Sequence, residues 1–309
     1  MALAWVTGAK GFIGWHLSRQ LSAGGDQVLG VGHGAWPPEI ARREGVSFWV
    51  NGEIEGTNLW QLAQKSGKPD VIYHLAGGSS VGLSMQSPQE DYHRTVTSTA
   101  TLLEWVRCFS PETKVVAVSS AAVYGDSIDL ILKEAGYYTP FSPYGFHKKL
   151  VELLCESYVR NFGLSATVVR FFSIFGPGLR KQLLWDLCSK LADNPAELML
   201  HGTGDELRDW VYVDDAVRIL QAAGAFKDEP FAVVNGGTGT GTYVVDVVKL
   251  LCDAWGSAPI ISFTGTQRSG DPVRLVADTT LLTEKLHVKA QHSLAQGIEN
   301  YTNWFKAER

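Results

Sequence analysis

A glycine-rich turn between a short apolar strand and a helix constrains the fold of this chain more than any other feature. Residues 3–6 read LAWV, and Gly8, Gly11 and Gly14 follow, before apolar residues recur at helical spacing. Only glycine lets a backbone approach a pyrophosphate closely, and the start of the following helix presents free N–H groups. The spacing is GxxGxxG rather than GxGxxG, and it predicts a βα unit that binds a dinucleotide.

Short apolar runs alternate with helical stretches through the first half of the chain. We expect strands near residues 3–7, 27–32, 46–50, 70–75, 114–119 and 165–171. Such alternation is typical of a parallel sheet with helices on both faces. After Gly-Pro-Gly at 176–178 the alternation becomes irregular.

These patterns predict an α/β fold, a Rossmann-like doubly wound parallel sheet with a smaller C-terminal substrate-binding lobe. We expect the dinucleotide-binding domain to comprise residues 1–172, with returning segments near 209–238. Residues 173–309 are then expected to form mainly the substrate-binding lobe.

A serine, a tyrosine and a lysine stand where hydride-transfer chemistry would need them. The β-branched run from Val115 to Val118 leads to Ser120, and ligands of open α/β sheets bind at the carboxyl ends of strands. Tyr144 and Lys148 are four residues apart and share a helix face. A nearby ammonium favours the phenolate, so Tyr144 can exchange a proton with an oxygen whose carbon exchanges hydride. We therefore predict that these three residues are catalytic.

Together the motifs resemble those of the extended short-chain dehydrogenase/reductases, in the group of nucleotide-sugar epimerases, dehydratases and reductases. Besides Ser120, the segments that carry the resemblance are TGAKGFIG, VIYHLAGG, YGFHK, RFFSIFGPG, GTGDELRDWVYVDD, NGGTGTGTYVVDVV and RSGDPVRLVADTT. The resemblance implies an enzyme that binds a nicotinamide dinucleotide and a nucleotide-diphosphate sugar. It is specific for the family and weakly specific for the sugar.

The resemblance assigns residues to both ligands, and the cationic residues after the second strand are added on the cofactor side. Expected at the cofactor are Gly8, Gly11, Phe12, Ile13, Gly14, His33, Arg42, Glu53, Ile54, Leu75, Ala76, Gly77, Tyr144 and Lys148. Expected at the substrate are Ser79, Ser120, Ser173, Arg180, Arg208 and Arg268. Arg208 and Arg268 match arginines that hold the nucleotide diphosphate in relatives, a role that suits a planar guanidinium.

The choice of cofactor depends on one position at the end of the second strand. Relatives that prefer NAD carry an acidic residue there, which binds the adenosine ribose hydroxyls. This chain has Gly32, so a 2′-phosphate would meet no repulsion, and His33, Arg42 or Arg43 could pair with it. The sequence therefore favours NADP(H), with NAD(H) as the alternative.

Two alanines reduce the number of reactions that this chain is expected to catalyse. Dehydratases of this group carry an acidic pair after the catalytic hydroxyl, where this chain has Ala121 and Ala122, and a methyl group cannot move a proton. We predict a reductase of a 4-keto, or 4-keto-6-deoxy, nucleotide sugar; the alternative is an NAD-dependent 4-epimerase. A third hypothesis, an idle family member that acts as an interaction protein, is disfavoured because Ser120, Tyr144 and Lys148 are all present.

Composition excludes several other classes of protein. A net charge of −5 without an arginine-rich stripe argues against nucleic acid as a partner. No cluster of His, Cys and Asp has metal-site spacing. No apolar run reaches the ~18 residues of a membrane span, and the first residues lack a signal peptide's pattern. We expect a cytoplasmic protein without a membrane partner.

The resemblance also implies a homodimer. In many relatives the helices that start near Pro88 and Tyr144 pair across a two-fold axis. Here those helices carry apolar residues that we predict to form the seam, namely Leu102, Leu103, Val151, Leu154 and Tyr158.

Overall fold

The computed structural model of the protein describes residues 1–125, 127, 129–136, 138–194, 196–266 and 272–308. The strands are β1 Leu3–Thr7, β2 Gln27–Gly32, β3 Phe48–Asn51, β4 Val71–His74, β5 Lys114–Ser120, β6 Ser165–Phe171, β7 Ser173–Phe175, β8 Glu197–Leu200, β9 Leu207–Tyr212, β10 Phe231–Gly236, β11 Gly241–Tyr243, β12 Ile260–Phe263 and β13 Arg274–Leu275. The α-helices are α1 Phe12–Ala23, α2 Pro38–Arg43, α3 Gly56–Ser66, α4 Val81–Gln86, α5 Pro88–Tyr92, α6 Ser98–Phe109, α7 Pro143–Phe162, α8 Gln182–Asp193, α9 Val213–Ala225, α10 Val244–Trp255, α11 Thr280–Leu286 and α12 Leu294–Ala307. A π-helical turn, His93–Thr97, joins α5 to α6, and a 3₁₀ turn, Ala121–Tyr124, follows β5.

A seven-stranded parallel sheet forms the centre of the molecule. Its strand order is β10-β6-β5-β4-β1-β2-β3. The order reverses beside β1, and at such a switch point the carboxyl ends of neighbouring strands open a crevice. Smaller sheets, formed by β7, β9, β11 and β13 and by β8 and β12, lie in the C-terminal half of the chain.

Apolar residues are buried on both faces of the large sheet. One core packs α1 and α9 against it, through residues such as Leu17 and Leu220. The other packs α3, α6 and α7, through residues such as Leu59 and Leu102. Helices on both faces make the sheet doubly wound, which confirms the predicted fold class. The C-terminal lobe has a separate core of residues such as Phe175, Leu187, Leu251 and Tyr301.

The predicted strands correspond to β1 through β6, with one shift. The third strand was expected from residue 46 but begins at Phe48. Gly45 has a φ of +88°, and the N–H of Val46 donates to the carbonyl of Ala41 in α2. Val46 therefore completes the turn after that helix instead of entering the sheet.

The helix that carries Tyr144 and Lys148 has well-defined ends. The Ser142 hydroxyl accepts a hydrogen bond from the N–H of Gly145 (3.2 Å), and Pro143 occupies the first turn, where it costs no hydrogen bond. Gly163, in the left-handed conformation, ends the helix. α7 thus crosses one face of the sheet with its first two turns beside the carboxyl end of β5.

The residues predicted to form a dimer seam lie mostly inside the subunit. Leu102, Leu103 and Val151 are at most 2% exposed and belong to the core beneath α6 and α7, and Leu154 and Tyr158 pack partly against it. Helical periodicity alone did not show which stripe faces the sheet. Exposed apolar residues of α6 and α7 include Phe109, Phe146, Leu150, Leu153 and Phe162.

Throughout the described residues, no helix combines the length and the apolar character needed to span a bilayer.

Candidate active site

A large cleft runs along the carboxyl ends of the parallel strands, between the central sheet and the C-terminal lobe. Its volume is about 1280 Å³, and its walls include residues 8, 10–14, 75–82, 118–122 and 171–174. A single small-molecule site usually occupies about 300 to 1000 Å³. The cleft is therefore large enough for two ligands, such as a dinucleotide and a nucleotide sugar.

The glycine-rich turn has the shape that a pyrophosphate needs. Gly8 has a φ of +72°, and a β-carbon on Gly14 would lie only 2.2 Å from the carbonyl oxygen of Gly8. The turn is closed by a hydrogen bond from the N–H of Gly11 to that same oxygen (2.8 Å). α1 begins at Phe12, and the first N–H groups of a helix have no intrahelical acceptor. This turn fits the pyrophosphate of a dinucleotide.

The three predicted catalytic residues meet at one place in the cleft wall. Ser120 ends β5, and Tyr144 and Lys148 approach it from α7; all three line the cleft. The Lys148 ammonium lies 5.8 Å from the centre of the Tyr144 ring and donates a hydrogen bond to the carbonyl of Val118 (3.0 Å). The predicted grouping of side chains is therefore present.

Burial controls the proton affinities at this place. It raises the pKa of the Tyr144 phenol, while a hydrogen bond with Ser120 acts in the opposite direction. It lowers the pKa of Lys148 to about 8, although the charge of Asp91 partly offsets this effect. Lys148 is then mostly protonated at pH 7 and can favour the phenolate of Tyr144.

The adenosine end of the cleft differs from what the sequence suggested. Gly32 is present where an acid was expected, and the indole of Trp49 covers it: a β-carbon on Gly32 would lie 3.1 Å from that ring. The Trp49 N–H donates to the carbonyl of Gly34 (3.0 Å). Sequence reasoning missed Trp49, although glycines at 30 and 32 leave room on β2 for a large side chain on the neighbouring strand.

The cations near this end also differ in part from the expectation. His33 lines the cleft, 3.3 Å from Glu53, whereas Arg42 lies exposed on α2 and away from the cleft lining. Lys10, inside the glycine-rich turn, lines the cleft and donates to the carbonyl of Ala35 (2.7 Å). The other predicted cofactor residues, Phe12, Ile13, Glu53, Ile54, Leu75, Ala76 and Gly77, all line the cleft.

The predicted substrate residues are only partly brought together. Ser79, Ser173 and Arg208 line the cleft, and Arg268 lies outside the described residues. Arg180 points away from it, pairs with Glu308, and lies over the rings of two tryptophans of the C-terminal lobe, Trp185 and Trp304.

Lys181, the next residue along the chain, reaches the cleft instead. Its ammonium donates a hydrogen bond to the Ser79 hydroxyl (2.8 Å), so it connects the C-terminal lobe to the loop after β4. In the described part of the chain, no three His, Cys, Asp or Glu side chains gather as metal ligands.

Comparison with known proteins defines the family. The model of the NAD dependent epimerase/dehydratase family matches residues 4–236, which is most of the chain. The chain belongs to this family. The resemblance to the extended short-chain dehydrogenase/reductases is thereby confirmed.

Members of the family match the chain along nearly its whole length. UDP-glucuronate 4-epimerase of Thermodesulfobacterium geofontis is 26% identical, over 97% of this chain and 95% of its own. Solved structures include UDP-glucose 4-epimerase of Thermotoga maritima with UDP-glucose (TM-score 0.88, 28% identity, 99% of each chain). UDP-glucuronic acid 4-epimerase of Bacillus cereus, in complex with UDP-glucuronic acid and NAD, has a TM-score of 0.89 at 26% identity and covers 99% of this chain and 100% of its own.

These family members favour the epimerase alternative over the predicted reductase. All three are 4-epimerases of UDP-sugars, and the Bacillus cereus complex contains NAD. The predicted preference for NADP(H) gains no support from them. That preference was inferred from one position of this chain, Gly32, which lacks the acidic side chain expected there.

Proposed function

We propose that this protein is an NAD-dependent 4-epimerase of a UDP-linked sugar. The observation that carries the proposal is the meeting of Ser120, Tyr144 and Lys148 in the wall of a cleft that has room for two ligands. The relatives that span the whole chain support epimerisation rather than net reduction.

The three side chains would manage the proton at one sugar oxygen. The Lys148 ammonium favours the Tyr144 phenolate. The phenolate removes the proton from the 4-hydroxyl as carbon 4 of the sugar becomes a ketone. Ser120 holds the same oxygen by a hydrogen bond. NAD, when bound, supplies a hydride acceptor and then a hydride donor at that carbon. Tyr144 returns the proton after the ketone has turned its other face, so the reaction has no net oxidation.

The residues that would hold NAD fit the dinucleotide in several places. The glycine-rich turn has the shape for the pyrophosphate, and Leu75 to Gly77 line the wall beside Lys148. We assign Glu53 and Ile54, which also line the cleft, to the adenine. On the sugar nucleotide we assign Ser79, Ser173 and Arg208. Arg268 remains a predicted ligand of the diphosphate, outside the described residues.

The turn after β5 supports epimerisation over dehydration. Ala121 and Ala122 form the start of the 3₁₀ turn and line the cleft. Neither methyl group can remove or deliver a proton, so loss of water from the neighbouring sugar carbons has no acid or base at this position. A 4-keto sugar formed here would return to a hydroxyl.

The experiment begins with the nucleotide that the purified protein retains. An epimerase must keep its cofactor through a whole cycle, so we expect bound NAD in the denatured extract, identified by mass spectrometry. Incubation with UDP-glucose, UDP-glucuronate and UDP-N-acetylglucosamine should convert one of them to its C4 epimer, detected by proton NMR, without net formation of NADH. Stoichiometric oxidation of NADPH with a 4-keto nucleotide sugar would establish the reductase instead.

We also expect a homodimer that uses the outward face of α6 and α7. The exposed apolar residues there, including Leu150 and Leu153, would be covered by a second subunit. Light scattering should give about twice the mass of the 33.8 kDa chain. A mass near that of one chain at micromolar concentration would contradict the expectation.

A further inference from the structure

Asp91 and His147 form a buried pair directly behind the catalytic helix face. The Asp91 carboxylate lies 2.5 Å from His147 Nδ1, and both side chains are nearly inaccessible to water. An ionised carboxylate can only accept, so Nδ1 carries the hydrogen and donates it. His147 directly precedes Lys148 in α7, so the pair lies beside the predicted catalytic residues.

The carboxylate also touches the cleft wall. A β-carbon on Gly78 would lie 1.8 Å from Asp91 Oδ1, so any larger residue there would displace the carboxylate. A β-carbon on Gly77 would lie 3.5 Å from the Lys148 ammonium nitrogen. The carboxylate and the ammonium therefore lie close to consecutive residues of one turn.

A π-helical turn follows the short helix α5, and Asp91 of α5 and Thr95 of the turn both reach this wall. Asp91 lies just before the turn, and Thr95, within it, accepts a hydrogen bond from the N–H of Gly78 (2.8 Å). Wide turns of this kind are frequent at functional sites. Here the turn brings a charged and a neutral side chain to the same glycine.

The charges around Lys148 come from several elements. His74 approaches from β4, and burial together with the Lys148 charge lowers its pKa to about 3, so it is neutral. Tyr144 and His147 lie on the same helix as Lys148, and Asp91 approaches from α5. One turn further along α7, Glu152 is held by Arg170 (2.8 Å).

Asp91 thus supplies negative charge to a buried lysine. A buried carboxylate is costly unless an opposite charge offsets it, and the same holds for a buried ammonium. The charge of Asp91 acts on Lys148 and favours its protonated form, and it also raises the pKa of the Tyr144 phenol.

We propose that Asp91 is a positioning residue that keeps the Lys148 ammonium protonated, with His147 holding its carboxylate in place. The inference rests on the proposed function, in which Lys148 binds the cofactor and assists Tyr144. Its test uses cofactor binding as a function of pH, because a merely structural pair would change affinity equally at every pH.

The experiment titrates the full-length protein with NADH, followed by fluorescence, from about pH 6 to about pH 10. Wild-type affinity should fall as the pH rises through about 8, where Lys148 loses its proton. In Asp91→Asn, which keeps the shape and an acceptor for His147, the fall should come about one pH unit lower. His147→Asn, whose amide can replace the Nδ1 donor, should behave like the wild type.

Glu90→Gln is the matched control. It removes the same charge one residue away, but Glu90 is exposed and paired with Arg94 (2.5 Å), so its curve should coincide with that of the wild type. Asp91→Asn curves that coincide with the wild type, or lie below it by one factor at all pH values, would overturn the proposal. An equal shift in Glu90→Gln would overturn it as well, since any nearby charge would then suffice.

A second variant covers the case in which Asp91→Asn does not fold. His147→Ala leaves the carboxylate charged but removes the group that holds it, so its affinity should fall at a lower pH than that of the wild type. A curve that coincides with the wild type, or lies below it by one factor at all pH values, would refute the proposal. If Asp91→Asn shows the pH shift but the wild type converts no nucleotide sugar, the proposed function is refuted and the role of Asp91 is not. Coinciding curves in an active epimerase would refute the role of Asp91 alone.

Discussion

The two sides of the cleft are built by different means. On the cofactor side, backbone shape makes the site. Gly8 adopts a left-handed conformation, a β-carbon on Gly14 would collide with the turn, and Lys148 is fixed on a capped helix. On the sugar side, the directions of long charged side chains determine the site. Arg180 and Lys181 are neighbours, yet one pairs with Glu308 and the other reaches into the cleft.

A site built from backbone shape is easier to define from sequence than a site built from long side chains. A spacing of glycines fixes a turn locally, so the turn follows from the motif. The direction of an arginine depends on partners that are distant in sequence, as with Arg180 and Glu308, which are 128 residues apart. Predictions on the cofactor side should therefore show larger and more specific effects than those on the sugar side.

The largest effect is expected from Tyr144→Phe. The variant keeps the ring but removes the proton, so turnover should fall by ~100-fold or more, the usual contribution of a general acid or base. Initial rates of epimer formation measure this, with circular dichroism to show an unchanged fold. Tyr243→Phe, at an exposed tyrosine outside the cleft lining, is the control. Nearly full activity of Tyr144→Phe would remove the proposed mechanism.

Lys148→Met should weaken cofactor binding. Losing a charged hydrogen bond of about 1.5 kcal/mol raises the dissociation constant of NADH roughly tenfold. Lys149→Met is the control, because Lys149 is the adjacent lysine and pairs with Glu152 (3.3 Å) rather than lining the cleft. If both variants bind NADH like the wild type, the cofactor side is not organised as described.

A smaller effect should separate Lys181 from Arg180. Lys181→Ala loses one charge-assisted contact in the cleft, so KM for the sugar nucleotide should rise about three- to tenfold. Arg180→Ala loses a surface ion pair and ring contacts of about 1 kcal/mol, which lowers Tm by about 2 °C with KM unchanged. A higher KM in Arg180→Ala would show that this side chain enters the cleft.

The smallest effect is expected where the adenosine would bind. There, unlike at the glycine-rich turn, side chains determine which cofactor is preferred. No acid at Gly32 repels a 2′-phosphate, and Lys10 and His33 line the cleft nearby. The dissociation constants of NAD and NADP should therefore differ by less than about tenfold, whereas a carboxylate contact would add about 1 to 3 kcal/mol. Titration with both nucleotides measures the ratio, and a hundredfold preference for either would contradict the expectation.

Much of the fold and of the catalytic group followed from local patterns. Buried parallel strands are continuous apolar runs, and Tyr144 and Lys148 share a face because helices repeat every 3.6 residues. Trp49 could not be placed this way, since its position depends on pairing between β2 and β3. Asp91 was missed because it lies 56 residues from His147 and belongs to no motif.

The order of strands has a consequence for synthesis of the chain. β6, Ser165–Phe171, pairs on one side with β5 and on the other with β10, which is made about sixty residues later. Until Phe231–Gly236 leaves the ribosome, β6 is an open edge of apolar and β-branched residues, the kind of edge that recruits strands from other chains. Stalled or truncated products that end before residue 231 should therefore aggregate and depend on chaperones.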